Sequence, residues 1–227
     1  MSIIEQGTTE WERQRLGKVT ASRMADVIRR TKAGWSEYRR KYMIELIAER
    51  LTGMRADPYL SGPMLWGIET EPQARAAYEK YSGDIVERAG FVEHPVIPMT
   101  GASPDGYLHE DGLVEIKCPE TRTHVGYLIA KAVPDQYVAQ IQWQLACTGR
   151  KWCDFVSFDP RMPERLRLLV VRVDRVPEII AELEKLTAEF LREMDETIRL
   201  INGEIHLGSE DIPDAAYSPV RLKPRAK

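Results

Sequence analysis

The stretch GASPDGYLHEDGLVEIKCP, residues 101–119, carries Asp105, Glu115 and Lys117 on sequence whose glycine and Asp-Gly positions predict a β-hairpin. Glu115 and Lys117 are two positions apart, so a strand points both side chains to one face and Ile116 to the opposite face. A hairpin of this length would bring Asp105 alongside Glu115. The arrangement therefore predicts either a metal site, or an ion pair on a solvated sheet face with Asp105 as an ordinary turn residue.

The chemistry of phosphodiester cleavage favours the metal site. Cleavage needs an activated water and a stabilised leaving oxygen, and Mg²⁺ serves both when one or two carboxylates and the substrate phosphate hold it. Asp105 and Glu115 supply carboxylates, and the backbone carbonyl of Ile116 can be a further ligand. The ammonium group of Lys117 can orient the water and lower its pKa. The bare Asp, Glu and Lys pattern is weak evidence, but the flanking Ser-Pro-Asp-Gly and Cys-Pro sequences strengthen it.

Outward from this stretch, β-rich segments indicate a sheet. Residues 84–119 predict a β-meander, and residues 152–160 predict a strand. Residues 165–175 are nearly continuous in Val and Leu, which is typical of a buried strand.

Helical spacing and capping residues surround these strands. Together the elements predict a single α/β domain with a central mixed sheet flanked by helices. Five helices are predicted. The first has Thr20 as its N-cap, the second runs from Ser36 to a stop at Gly53, and the third has Thr70 as its N-cap, Pro72 in its first turn and a stop at Gly83. The last two cover residues 135–149 and 177–201.

Composition excludes several classes of protein. The 227 residues are 43% hydrophobic and 30% charged, as in globular proteins, and no apolar run reaches the length of a membrane helix. The first residues lack the pattern of a secretory signal. Three widely spaced cysteines predict neither a disulfide framework nor a four-cysteine cluster. We therefore expect reduced thiols in a cytoplasmic protein.

Charge is distributed unevenly along the chain. Residues 11–55 hold twelve Lys and Arg against five Asp and Glu, a local net charge of +7. Residues 174–204 hold four against nine, a local net charge of −5. Binding to a phosphate backbone needs a local cationic surface rather than a high total charge, so the overall charge of −3 does not exclude nucleic acid. Two solvated helices with segregated charges would give the same pattern.

Six blocks of sequence resemble one family. Pro104-Asp105 followed by Glu115-Ile116-Lys117 matches the PD-(D/E)xK nuclease pattern, and the chain from about residue 10 to about residue 200 resembles the lambda exonuclease and YqaJ-type viral recombinase family. The order and spacing of the blocks are more specific than any one of them. The blocks are WERQRLGKVTAS (11–22), WGIETEPQAR (66–75), SPDG (103–106), EIKCP (115–119), QIQWQLACTG (140–149) and FDPRM (158–162).

The resemblance implies a restriction-endonuclease-like core, and we expect the nuclease domain over residues 1–207. Residues 208–227 lie outside the resemblance, and their prolines and basic end predict a loosely ordered or subunit-contacting tail. It implies a Mg²⁺-dependent, processive 5′→3′ exonuclease on double-stranded DNA ends, with Mn²⁺ as a substitute metal. Such an enzyme leaves a 3′ single-stranded overhang for phage-type recombination. Family members are homotrimers with a central channel, and they work with a single-strand annealing protein in a bacterial or phage-infected cell.

The resemblance also implies roles for residues of the metal site. Asp105 and Glu115 become Mg²⁺ ligands together with the Ile116 carbonyl, and Lys117 positions and activates the water. Glu71 matches the helix carboxylate that completes the site, with Glu69 as a weaker alternative.

Other matched residues concern the surroundings of the metal. Gln140 matches a glutamine that hydrogen-bonds near the active site, with Gln142 as the alternative. Arg15 and Ser22 match a pocket for a 5′-terminal phosphate, which an arginine fork, a hydroxyl and backbone N–H groups at a helix N-terminus can bind. Arg13 is the alternative to Arg15.

Two further residues are assigned to DNA contacts, Lys32 in a groove of the duplex and Met64 as a wedge at its end. Two other functions remain open. One is an endonuclease of restriction or repair type, which would need base-reading elements. The other is a catalytically inactive DNA-binding relative, although the intact Asp105, Glu115 and Lys117 speak against it.

Overall fold

A computed structural model describes residues 4–55 and 61–203. The tail expected over 208–227 lies outside the described residues. The chain forms two units, the first ending at Phe190 and the second beginning at Leu191. The described part of the second unit is the end of the last helix, which runs to Ile201. The first unit is an α/β fold of mixed sheets and helices, which confirms the predicted fold class.

The larger sheet has four strands in the order β6-β7-β8-β9. Strand β7 is antiparallel to β6 and parallel to β8, and β9 is antiparallel to β8. The chain between β7 and β8 forms helices α5 and α6, the kind of crossover that a parallel pair requires. The bounds are β6 Gly106–Leu108, β7 Gly112–Lys117, α5 Thr121–Ala130, α6 Asp135–Thr148, β8 Trp152–Phe158 and β9 Leu168–Asp174.

Both faces of this sheet are covered. On one face, Val114 and Ile116 of β7 pack with Ala74 and Tyr78 of the helix α4, Gly62–Ser82. On the other face, strands β7 and β8 pack against α6, which lies between them in sequence; the buried residues of that cluster are Leu113, Ile141, Leu145, Cys153 and Phe155. Because helices cover both faces, a charged residue in the middle of β7 is removed from water.

A second sheet joins distant parts of the chain. Its order is β1-β5-β4, with β1 Val19–Thr20 parallel to β5 Thr100–Ala102, and β4 Val92–Glu93 antiparallel to β5. The predicted meander over 84–119 is therefore wrong as a single sheet, because the chain leaves one sheet after Ala102 and enters the other at Gly106. Strand β1 comes from the N-terminal region and pairs with β5, next to the segment where the chain passes from one sheet to the other.

The remaining elements include a small hairpin that the sequence did not predict. Strands β2 Arg30–Thr31 and β3 Gly34–Trp35 pair antiparallel. The other helices are α1 Thr9–Arg15, α2 Met24–Ile28, α3 Glu37–Thr52 and α7 Pro177–Ile201.

Helix α3 begins and ends where the sequence predicts. The Ser36 hydroxyl accepts the backbone N–H of Arg39, and Gly53 ends the helix with a φ of 66°. The end of α4 at Gly83, with a φ of 79°, is also confirmed.

The predicted start of α4 is wrong. The helix begins at Gly62 after Ser61, so Thr70 and Pro72 lie inside it, and Thr70 is buried. A proline inside a helix removes the hydrogen bond to the carbonyl four residues earlier, and its ring crowds that carbonyl. Packing of Ala74 and Tyr78 against the sheet stabilises the helix on the far side of that gap.

Two other predictions about secondary structure are also wrong. A 3₁₀ turn over Ala21–Arg23 separates Thr20 from α2, so a regular helix does not start at Thr20. Strand β9 is the sheet edge and is half-buried, not a central buried strand. In the part of the chain that the structure describes, no helix has the length and apolar character needed to cross a membrane.

Candidate functional site

The hairpin of β6 and β7 brings Asp105 to Glu115. Gly106 pairs with Val114, so the next position outward places Asp105 across from Glu115. The backbone N–H of Ile116 donates to Asp105 Oδ2 over 2.6 Å. The geometry expected from the turn and the strand period is therefore present, with Ile116 packed on the opposite, apolar face.

Two glutamines of α6 hold Glu115. Gln140 Nε2 donates to its Oε1 and Gln144 Nε2 to its Oε2, each over 2.6 Å. Glu115 is only 1% exposed. The alternative of an ion pair on a solvated sheet face is therefore wrong, because the carboxylate lies inside the protein and accepts hydrogen bonds from buried protein donors.

Lys117 contacts the same carboxylate. Its Nζ pairs with Glu115 Oε1 and lies 5.1 Å from the ring centre of Tyr137. Burial lowers the pKa of Lys117, but the carboxylates of Glu115 and Asp105 outweigh burial and raise the pKa above its ordinary value. Lys117 is therefore an ammonium at neutral pH, able to donate hydrogen bonds and unable to accept a proton.

Asp105 lies in a strongly negative environment. Burial, the charge of Glu115 and the charge of Glu71 raise the pKa of Asp105 well above its ordinary value, while Lys117 and the Ile116 N–H act in the other direction. Like charges held close together in a poorly solvated site favour the uptake of a proton or the binding of a cation. The site is therefore suited to bind positive charge.

Glu71 reaches the site from α4. Arg75 Nη2 donates to Glu71 Oε1 over 3.1 Å and to the backbone carbonyl of Asp105 over 2.8 Å. Glu71 and Asp105 both line a cleft of about 750 Å³. Glu69 is exposed and does not line that cleft. Arg75 thus ties the helix carboxylate to the loop that carries Asp105.

A smaller cavity of about 170 Å³ adjoins the cleft, and Asp105 lines both. It collects residues from four separate parts of the chain, an arrangement that no local sequence pattern provides. The residues expected at the site that line this cavity are Arg15, Ser22, Asp105, Glu115, Lys117 and Gln140.

Arg15 enters the cavity from the end of α1. Its guanidinium lies 4.0 Å from the ring centre of Trp11, and Trp11 Nε1 donates to Ser103 Oγ over 3.0 Å. Burial and the charge of Arg55 lower the pKa of Arg15 to about 10, so it remains a cation at neutral pH. Arg13 is instead exposed, pairs with Glu10, and does not line the cavity.

Ser22 is exposed at the mouth of the cavity, with its Oγ 3.4 Å from Thr20 Oγ1. It belongs to the 3₁₀ turn before the five-residue α2, so the expected N-terminus of a regular helix is absent at this position. Lys32 is exposed in the turn between β2 and β3, and Met64 is half-exposed near the start of α4. Neither residue lines the cavity or the cleft.

The alternative glutamine, Gln142, lies away from the site. Its Nε2 donates to the Asp174 carbonyl, and its Oε1 accepts the Val176 N–H. Gln142 therefore fixes the connection between β9 and α7. Sequence reasoning missed Gln144, although it follows Gln140 by four residues, the spacing that puts two side chains on one face of a helix. It also missed Arg75, which follows Glu71 by four residues.

The donors of the site fit a hard divalent cation. Among residues 4–55 and 61–203, no group of three or more His, Cys, Asp or Glu side chains forms a metal cage. Mg²⁺ does not need such a cage, since one or two carboxylates with waters and a substrate phosphate suffice. The backbone of Ile116 lies beside Asp105, since its N–H donates to Asp105 Oδ2.

Comparison with known proteins gives matches over most of the chain. Residues 10–151 match the family model of the YqaJ-like viral recombinase domain. An alkaline exonuclease from Laribacter hongkongensis, LHK-Exo, is 44% identical, with 87% of this chain and 97% of that chain covered and a TM-score of 0.81. A structure of the same protein in complex with dAMP gives a TM-score of 0.82 at 44% identity, with 87% and 97% of the two chains covered.

Two further relatives are more distant. A phage-related exonuclease from Haemophilus somnus 129PT is 17% identical, with a TM-score of 0.67 over 81% of this chain and 96% of that one, which shows a shared fold. The putative uncharacterized protein ExoD of Escherichia coli K12 is 31% identical over 68 residues, 30% of this chain and 77% of ExoD.

Proposed function

Because the chain belongs to the family of the YqaJ-like viral recombinase domain, we propose that it is a metal-dependent DNA exonuclease acting on double-stranded ends. It degrades the 5′-phosphorylated strand in the 5′→3′ direction and leaves a 3′ single-stranded overhang. The observation that carries this proposal is the cavity shared by the carboxylates of Asp105 and Glu115, the ammonium of Lys117 and the guanidinium of Arg15. The 44% identity to an alkaline exonuclease supports the same activity.

Asp105 and Glu115 would hold Mg²⁺, for which Mn²⁺ can substitute, together with the Ile116 carbonyl. Glu71 would complete the site from α4, steered by Arg75. The bound metal supplies positive charge that offsets the charge developing on the scissile phosphate. The crowding of negative charge around Asp105 supports this assignment, since a cation relieves it.

Lys117 remains protonated and donates to the attacking water or to a phosphate oxygen. Its raised pKa means that the proton is held rather than exchanged, so Lys117 orients and stabilises charge instead of acting as a base. Gln140 fixes Glu115, and both side chains are buried, so little reorganisation is needed when substrate arrives.

Arg15 would bind the 5′-terminal phosphate of the substrate. It is a partly buried cation, and its Nε has no hydrogen-bond partner among the described residues. Ser22 lies at the same cavity and adds a hydroxyl donor. A terminal phosphate held here gives a preference for phosphorylated ends and favours stepwise movement along the strand. Lys32 and Met64 lie outside the cavity, and we assign them to contacts with the duplex.

We further assign the enzyme a role in recombination with a single-strand annealing partner, as a homotrimer around a DNA channel, with residues 1–207 as the nuclease domain. The three cysteines are free thiols, which agrees with work in the reducing cytoplasm of a bacterial or phage-infected cell.

The test compares linear duplex with and without a 5′-phosphate against closed circular DNA, in Mg²⁺ and in excess EDTA. Progressive, Mg²⁺-dependent release of nucleotides from linear DNA, faster with the 5′-phosphate, is expected. A Glu115→Gln variant is the control for contaminating nucleases and should release nothing. Discrete cuts in the circle would indicate an endonuclease, and a lack of cleavage of any DNA would indicate an inactive relative.

A further inference from the structure

Both oxygens of the Glu115 carboxylate have protein donors, but the donors at the two oxygens lie in different surroundings. Gln140 and Lys117, the partners of Oε1, line the cavity. Gln144, the partner of Oε2, does not line it and is 0% exposed. Oε2 therefore lies on the inner side of the carboxylate, and Oε1 lies at the cavity wall.

The amide of Gln144 lies on Oε2 over 2.6 Å and prevents the carboxylate from turning that oxygen toward the cavity without losing a buried bond. Breaking this bond would leave a charged acceptor unsatisfied inside the protein, which is costly. Glu115 is consequently held so that one oxygen rather than two faces a cation.

We propose that Gln144 is a positioning residue that fixes Glu115 from the inner side and so sets the affinity of the site for a divalent cation. The proposal rests on the metal-dependent function proposed above. Gln144 lines neither cavity nor cleft, so it acts only through Glu115. Outer partners of metal-binding carboxylates commonly change metal affinity by about 10- to 100-fold when they are removed.

Gln144 also makes a test possible with little effect on folding. Its own Oε1 is buried without a hydrogen-bond partner among the described residues. Gln144→Leu removes this unsatisfied oxygen together with the Nε2 donor. The stability gained by removing the unsatisfied oxygen offsets part of the stability lost with the hydrogen bond to Glu115. Gln144→Met is a second variant of similar length and flexible shape.

The matched control is Gln142→Leu. Gln142 lies on the same helix and is also 0% exposed, but it bonds to the Asp174 carbonyl and the Val176 N–H instead of Glu115. Loss of the two hydrogen bonds of Gln142 should lower the free energy of unfolding and leave the affinity for the metal unchanged.

The experiment is a calorimetric titration of the full chain with Mn²⁺ alone, without DNA. Mn²⁺ binding weaker by tenfold or more in Gln144→Leu or Gln144→Met, with Gln142→Leu equal to the wild type, supports the proposal. Equal affinities in the wild type and both Gln144 variants overturn it, as does equal weakening in Gln142→Leu, which would reflect general damage to α6. A wild type that binds no Mn²⁺ and degrades no DNA overturns the proposed function as well, so the two failures are distinguishable.

Discussion

The backbone N–H of Ile116 donates to the carboxylate of Asp105 over 2.6 Å, across the mouth of the β6–β7 hairpin. This bond fixes the carboxylate in a place where the charges of Glu115 and Glu71 oppose its ionisation. The ionised carboxylate of Asp105 therefore lowers the free energy of unfolding at neutral pH, and a cation bound beside it would offset that cost.

Asp105→Asn should reduce nuclease activity on the order of a thousandfold or more, because the substitution removes an anionic ligand while keeping an acceptor for the Ile116 N–H. The metal-free variant should be more stable than the wild type at neutral pH. The raised pKa of Asp105 means that its ionised form destabilises the folded state above the ordinary pKa of aspartate.

The measurement is urea unfolding in EDTA at several pH values, beside a nuclease assay in Mg²⁺. The difference in stability should disappear below about pH 4, where the carboxyl group is protonated in both states. Asp111→Asn, at a half-exposed residue paired with Lys151, is the control and should change neither property strongly. A less stable Asp105→Asn at neutral pH would contradict the charge argument.

Lys117→Ala should abolish cleavage while DNA binding stays within about threefold of the wild type. Under the proposed function, many cations would share the contacts with the DNA backbone, whereas Lys117 pairs with the carboxylate of Glu115 in the site. Binding is measured by fluorescence anisotropy in Ca²⁺, and cleavage in Mg²⁺. Lys151→Ala removes an exposed lysine paired with Asp111 and serves as the control for charge. A loss of binding as large as the loss of cleavage would refute the assigned role.

Arg15→Ala should remove the preference for 5′-phosphorylated ends and leave activity on ends with a 5′-hydroxyl nearly unchanged. The guanidinium is partly buried beside Trp11, where a hydrogen bond to phosphate is stronger than in water. Arg13→Ala is the matched control, since Arg13 is two residues away, exposed, and paired with Glu10. Initial rates on the two kinds of end are compared; equal loss on both kinds in Arg15→Ala would argue against a phosphate pocket.

Asp159→Asn should destabilise the protein by about 2 kcal/mol at neutral pH, because Asp159 accepts charged hydrogen bonds from Arg161, whose guanidinium lies 4.3 Å from the ring centre of Trp66 on α4. Burial would raise the pKa of Asp159, but hydrogen bonds from Arg161 and Thr121 lower it to about 2. The stabilisation is therefore fully present above about pH 4.5 and lost as the pH falls toward 2.

Unfolding of the wild type and the variant by urea between pH 7 and pH 2 tests this pH dependence. The difference between the two proteins should be constant down to about pH 4.5 and shrink below it. Arg165→Ala, at an exposed arginine in the following 3₁₀ turn, is a control that should show no such dependence.

Local chemistry accounts for the part of the site that lies within the hairpin. Strand alternation predicts that Glu115 and Lys117 share a face and that Ile116 packs on the other, and the turn predicts that Asp105 reaches Glu115. The same local rules failed at Thr70, where a favourable cap was overridden because α4 continues through Pro72 to cover the sheet. The spacing of four residues puts Gln144 on the same face of α6 as Gln140, but only the packing of that face against β7 shows that Gln144 donates to Glu115.

By itself, the sequence determined the α/β class, the hairpin with its three charged residues, the main helices and the family resemblance, since turn preferences, side-chain period and motif spacing act over short distances along the chain. Tertiary structure alone decided that Glu115 is buried and that Arg15 and Ser22 share a cavity with Asp105. The parallel pairing of Val19 with Thr100 brings these distant segments together. That pairing depends on packing between residues far apart in the chain, which a local pattern does not record.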